Sequence, residues 1–268
     1  MKPLILLTND DGINSHGLHA AAEALYNIGD LLIVAPAYQQ TAMSRSYLRT
    51  DGSGVIKAVQ FNINGITYDA YQVHGSPAQA VAHGILELTS RKPDLCVSGI
   101  NFGENIGYSL SCSGTVGAAL EACSFDIPAL AISLEMNLDL HHDSNYGEQD
   151  WSIARYFTEL IVKKILKDKW IKEIAVLNVN IPKTANEHTD IVLTTQSTQN
   201  YYIFQKPKKR DLSKEFWLKP EIKWSEIELD KHSDIYQLKY EKKVCITPIS
   251  KNMTVDKKTY TNALRILE

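Results

Sequence analysis

The chain has 268 residues, with 28 Lys and Arg against 31 Asp and Glu, a formal charge of −3, 44% hydrophobic and 22% charged residues. That length suits one α/β unit whose core needs neither disulfide nor metal to hold it. The near-balanced charge argues against a polyanion-binding surface as the main business, and no stretch approaches the roughly 20 apolar residues of a membrane helix. The four cysteines, Cys96, Cys112, Cys123 and Cys245, make no Cys-x-x-Cys pair and no zinc-like spacing with histidine. They read as reduced thiols of a cytoplasmic protein, and the N-terminal apolar run is too short for a signal segment.

Leu4 to Thr8 is an unbroken apolar run closed by Asn9-Asp10-Asp11-Gly12, the pattern of a buried strand ending in a turn. His16 to Ile28 has helical spacing, with Leu18, Ala21, Ala22 and Leu25 on one face, and Leu31 to Pro36 is a second buried strand. Strand, helix, strand is a βαβ unit with parallel strands and a right-handed crossover. Two strands near Val55–Phe61 and Thr67–Val73 read as a hairpin excursion. Ser76-Pro77-Ala78-Gln79 opens a helix running to about Ser90, with Ser as cap, Pro in the first turn and Gln at the capping-box position. Asp94 to Ser98 is a third parallel strand, Thr115 to Cys123 a helix and Pro128 to Leu134 a fourth strand.

Residues 136–148 are polar, and their His141-His142-Asp143 reads as part of a solvated loop. Trp151 to Lys167 is an amphipathic helix and Ile174 to Val179 a further strand. From about 190 to 250 the pattern turns to short aromatic-rich segments, a β-rich arm suited to pairing subunits, and Asp256 to Glu268 closes the chain as a helix. Within the arm, Lys206-Pro-Lys-Lys-Arg210 reads as a solvated hairpin tip. The expected architecture is a single unit spanning 1–268: a three-layer α/β/α, Rossmann-like, mostly parallel sheet with a C-terminal β-hairpin extension. Ligands on such sheets bind beyond the carboxyl ends of the strands.

Three strand ends carry chemistry. After the first, Asp10 and Asp11 converge only if the chain turns at Gly12; either a hard divalent cation resolves their repulsion or both acids are solvated in a plain Asp-Gly turn. After the second comes a hydroxyl-rich loop, Ala35 to Ser46. After the third, Ser98-Gly99-Ile100-Asn101-Phe102-Gly103-Glu104-Asn105 leads into Ser111-Cys112-Ser113-Gly114-Thr115 at a helix start, where backbone N–H groups make an anion site. The glycine spacing is not that of a nicotinamide-dinucleotide fold. Carboxylates, neutral oxygens and phosphate donors together point to a cation bridging a phosphate. His74, before the Gly-Ser-Pro helix entry, either reaches this region or packs at its strand end.

Asn9-Asp10-Asp11-Gly12, Val34-Ala35-Pro36, Gly75-Ser76-Pro77, Ser98-Gly99-Ile100-Asn101 and Ser113-Gly114-Thr115-Val116, in this order and with Cys245-Ile246-Thr247-Pro248 near the end, resemble the SurE family of stationary-phase survival proteins, which are 5′/3′-nucleotidases. The resemblance implies one divalent cation per subunit, Mg²⁺ or Mn²⁺, held by Asp10, Asp11, Thr41 and Asn101. It implies hydrolysis of nucleoside 5′-monophosphates, with 3′-monophosphates as well, by a metal-activated water, in a homodimer or homotetramer built partly by C-terminal arms. Asp10, Asp11 and Asn101 are the catalytic candidates. Ser113, Gly114 and Thr115 are the expected phosphate binders, and Asn9, Ser44 and Asn105 further substrate contacts. The chain departs from the family at Thr41, where Ser is usual, at Ala37, where Asp follows Ala-Pro, and at Cys112, where an aromatic is common. The rival reading is a degenerate, non-catalytic nucleotide-binding member; a receiver-like module or a haloacid-dehalogenase-type phosphatase fits the acid pattern less well.

Overall fold

The structure is a computed structural model, describing residues 1–136, 149–168, 170–225 and 229–259. Its centre is β1 (Leu4–Thr8), every residue of which is buried. Both faces are covered, so the strand has no polar alternation. β1 pairs in parallel with β2 (Asp30–Pro36) on one side and β5 (Leu95–Phe102) on the other. Between β1 and β2 lies α1 (His16–Leu25), started by Ser15, whose hydroxyl accepts from Leu18 N, and burying the apolar face read from the sequence. It stops before the expected Ile28, where Asn27 and Gly29 are poor helix formers.

β3 (Ile56–Ile63) and β4 (Ile66–Val73) form the expected antiparallel hairpin, closed by Asn64 and Gly65 at φ of 51° and 82°. This is the primed turn that matches strand twist. The pair is no excursion, however. β4 lies parallel to β2, and the hairpin forms one edge of the main sheet. α2 (Pro77–Glu87) begins with the capping box formed by Ser76 and Gln79. β5 runs on past its expected end at Ser98 to Phe102, with a register shift against β6 (Ala129–Leu134) between Ser98 and Asn101. A 3-10 helix (Gly107–Cys112) then leads into α3 (Gly114–Ser124), capped by Ser113.

α4 (Ser152–Lys167) and β7 (Ile174–Ile181) follow β6. Among the described residues the sheet has nine strands in the order β3-β4-β2-β1-β5-β6-β7-β11-β8, with β11 (Val244–Ser250) antiparallel to β7 and parallel to β8 (Ile191–Leu193). Helices α1 and α4 cover one face, packing Leu18, Leu25, Phe157 and Ile161 onto Ile5, Leu7 and Val97. Helices α2 and α3 cover the other, over Leu6, Val34 and Cys96. The three-layer α/β fold expected from the sequence is therefore present.

The C-terminal part is more than a hairpin extension. β8 and β11 complete the main sheet, while only β9 (Tyr202–Phe204) and β10 (Pro220–Ile222) form a separate two-stranded ribbon. A short helix, α5 (Asp234–Lys239), packs beside them around Tyr201, Ile106, Ile235 and Leu238. The His141-His142-Asp143 loop lies outside the described residues, as does the closing helix beyond its opening at 257–259. No helix among the described residues is long and apolar enough to cross a membrane.

Candidate functional site

Chain order reverses around β1: the chain leaves to β2, then returns to β5 on the other side. Such a switch point opens a crevice at the strands' carboxyl ends, and there the predicted residues gather. Asn9, fully buried, spends its side chain on the turn itself, donating to Gly12 O at 3.1 Å and Ser15 Oγ at 2.6 Å and accepting from Gly12 N. That turn, with Gly12 at φ 96°, aims Asp10 and Asp11 into the crevice.

Asp10 is only 6% exposed, and its Oδ1 accepts the Thr115 hydroxyl at 2.6 Å. Burial pushes its pKa up to about 6, against lowering by the Thr115 hydroxyl and by the backbone of residues 10 and 115. Gly114 is required at this approach, because a Cβ there would stand 2.7 Å from Asp10 Oδ2. Asp11 accepts from Phe102 N at 3.2 Å and from Gln39 Nε2 at 3.4 Å. Asn101, next to Phe102 at the end of β5, donates its amide to Gly103 O at 2.6 Å, leaving its carbonyl oxygen as the acceptor of the side chain.

The loop after β2 is laced to the same place. Gln40 N donates to Asp10 O at 2.6 Å and Ser44 N to Cys112 O at 3.1 Å. Thr41 follows Gln40 on this loop and is exposed; its hydroxyl has no hydrogen-bond partner among the described residues. Ser44, at φ 51°, donates its hydroxyl to Ser111 O at 3.0 Å, and Gly117 of α3 admits Ser44 O where a Cβ would be 2.0 Å away. Arg45 and Tyr47 both grip the buried Glu121 of α3, at 2.6 and 2.7 Å.

The expected substrate contacts fall into two groups. Ser113 caps α3 by accepting from Val116 N, and Gly114 and Thr115 form the helix start; the Thr115 hydroxyl is turned to Asp10 rather than outward. Asn105 sits on the far side of Asn101, held by β6 and β7: its N–H donates to Asn180 Oδ1 at 2.8 Å, its Nδ2 to Ser133 Oγ at 3.0 Å, and its carbonyl accepts from Asn178 and Asn180. His74 is exposed, its ring set edge-on to Tyr38 at 6.2 Å.

Sequence reasoning passed over Gln39, Glu121, Asn178 and Asn180. Two asparagines at alternate positions of an otherwise apolar strand were a readable sign that β7 has a polar task; Gln39 and Glu121 carried no such sign.

A hard divalent cation fits this donor set. The buried carboxylate of Asp10 lacks full compensation for its charge, and Asp11, Asn101 and Thr41 are oxygen ligands of the kind that Mg²⁺ and Mn²⁺ take. Carboxylates, amide and hydroxyl oxygens and a helix start thus meet at the switch point of a doubly wound α/β sheet.

Comparison with known proteins identifies the family. The family model described as "Survival protein SurE" matches residues 5–203. The "5'-nucleotidase SurE" of Thermococcus kodakarensis is 34% identical over 253 residues, covering 93% of each chain. Its namesake from Methanopyrus kandleri is 34% identical over 265 residues, 98% of this chain and 97% of that one, and that from Methanoculleus marisnigri is 44% identical over 185 residues, 68% of each. The crystal structure of the SurE protein from Aquifex aeolicus superposes with a TM-score of 0.73 at 26% identity, covering 99% of both chains. The chain belongs to the SurE family.

Proposed function

We propose that the chain is a metal-dependent nucleotidase that hydrolyses nucleoside 5′-monophosphates, and 3′-monophosphates as well, to nucleoside and phosphate. The observation that carries this reading is the meeting of Asp10 with the first turn of α3, which sets a carboxylate pair beside an anion-accepting helix start. The relatives are named as 5'-nucleotidases, which supports the activity.

Asp10, Asp11, Asn101 and Thr41 would hold one Mg²⁺ or Mn²⁺ per subunit. When bound, the cation supplies a Lewis acid for a phosphate oxygen and acidifies a water at neutral pH. The protein's own residues do the rest. At the start of α3, Ser113 N is bonded to Leu110 O and the Thr115 backbone to Asp10, so Gly114 N would receive a phosphate oxygen, with the positive end of the helix dipole behind it. Ser44 and Asn105 would add further contacts to the substrate. Thr115 holds Asp10 in one orientation, and Gln39 and Phe102 N hold Asp11, so the pair is preorganised. The usual Ser of the family is Thr41 here, which keeps the hydroxyl oxygen and adds a methyl group.

The aromatic and aliphatic side chains exposed on the ribbon and on the segment joining its strands, Phe204, Leu212, Phe216 and Trp217, support a homodimer or homotetramer joined through this arm; sedimentation of the intact chain checks it. Residence in the cytoplasm accords with four free cysteines.

The deciding experiment is phosphate release from nucleoside 5′- and 3′-monophosphates with Mn²⁺, Mg²⁺ or EDTA, run beside Asp10→Asn. Release that both EDTA and the substitution abolish supports the reading. Tight nucleotide and metal binding without release from any substrate replaces it with the non-catalytic binding protein.

A further inference from the structure

The segment from Asn101 to Gly107, the end of β5 and the loop that follows it, carries both asparagines of the site, and it is gripped by a helix of only six residues. At one end of α5, the buried Asp234 accepts Gly107 N at 2.9 Å and also Ser197 N at 2.9 Å. At the other end, Lys239 bonds Glu104 Oε1 and, at 2.7 Å, Glu135 Oε1. Glu104 has no exposed side-chain surface, and Lys239 and Glu135 keep 11% and 5%. The remaining Glu104 contacts close the cluster: Tyr201 donates its hydroxyl to Oε1, and Met136 N donates to Oε2 at 3.1 Å. The ammonium also lies 5.0 Å from the centre of the Tyr201 ring. Acid first and base last matches the helix dipole, and buried charges persist only when paired in this way.

We propose that α5 is the clamp that fixes the Asn101–Gly107 loop, with Lys239 acting through Glu104 as the positioning residue on which Asn101 and Asn105 depend. The C-terminal unit is thereby a working part of the site, beyond any role in joining subunits. The structural claim stands on the contacts above; only its kinetic consequence rests on the nucleotidase reading.

The test compares Tyr201→Phe, Glu104→Gln and Lys239→Gln with Ile161→Val, a core substitution in α4 remote from the loop. Three readouts are taken well below each melting temperature: hydrogen exchange of the Phe102 and Gly107 amides, Mn²⁺ affinity by calorimetry, and kcat and KM for a nucleoside 5′-monophosphate. The clamp predicts exchange faster by tenfold or more, Mn²⁺ affinity weaker by severalfold and kcat lowered more than KM is raised, with Ile161→Val unchanged in all three. Where Lys239→Gln does not fold, Glu104→Gln, which removes the carboxylate that Lys239 holds, decides. Wild-type exchange and wild-type Mn²⁺ affinity in folded Tyr201→Phe and Glu104→Gln overturn the proposal. A wild-type protein that neither binds Mn²⁺ nor releases phosphate sinks the nucleotidase reading instead, and hydrogen exchange still decides the clamp.

Discussion

The hydroxyl of Thr115, in the first turn of α3, donates at 2.6 Å to a carboxylate oxygen of Asp10, 105 positions earlier at the end of β1. One bond thus joins the expected cation-holding and phosphate-binding halves of the site. It also accounts for the residue type. Serine would lack the methyl group that fills this fully buried position, and valine would remove the one side-chain donor that Asp10 has among the described residues.

Thr115→Val is therefore expected to lower kcat/KM by about 10- to 100-fold, since a hydrogen bond to a charged group is worth roughly 1.5–3 kcal/mol. Thr115→Ser should recover most of the loss. Steady-state phosphate release checks it, and a valine variant within twofold of wild type would remove Thr115 from the argument.

Gly114→Ala should separate stability from activity. Alanine favours a helix over glycine by about 1 kcal/mol, yet its Cβ would stand 2.7 Å from Asp10 Oδ2 and 2.8 Å from Asp10 Cβ. Turnover and Mn²⁺ binding are expected to collapse while circular dichroism keeps the helix content of the parent. An active alanine variant would mean that Asp10 has room to move.

Asp10→Asn is expected to stabilise the metal-free protein at neutral pH while abolishing catalysis. The folded pKa of Asp10, about 6, lies above the ordinary 3.8. Its favourable contribution is then complete below about pH 3.8 and lost as pH rises through about 6, a swing on the order of 3 kcal/mol. In EDTA, urea unfolding at pH 7.5 should show the asparagine variant more stable, with the advantage gone near pH 4. A variant less stable than wild type at pH 7.5 contradicts the burial argument.

Asn180→Ala removes the acceptor for Asn105 N and one of the two donors to Asn105 O. A buried N–H left unpaired costs about 1–3 kcal/mol. Thermal unfolding should register that loss, and kcat should fall beyond it because Asn105 no longer has a fixed backbone. Unchanged kcat in a destabilised variant would confine Asn180 to the core.

Where local chemistry decides structure, the sequence was legible. The apolar run of β1, the Ser76–Gln79 capping box and the Asn64-Gly65 hairpin each rest on residues within a few positions of one another. The convergence of Asp10, Asp11, Asn101 and the Ser113–Thr115 start also followed, since strand ends of a doubly wound sheet meet at the switch point. The continuation of β5 to Phe102 was hidden, because Gly99 and Gly103 read as loop while pairing with β6 resumes at Asn101. The strands β8 and β11 were hidden for another reason: Val244–Ser250 carries Pro248 and reads as arm until β7 supplies its partner. Nor does local pattern join Lys239 to Glu104, 135 positions apart.

The late return of β11 also bears on how the protein is made. On the ribosome, β7 is complete well before its neighbour exists, and residues 182–243 must emerge first. At about 5–20 residues per second this takes on the order of 3–12 s, during which the peptide groups along one side of β7 have nothing to pair with. A bare strand of that kind recruits other chains. Nascent molecules paused in this window are expected to need a chaperone, and a chain cut short before residue 244 is expected to aggregate.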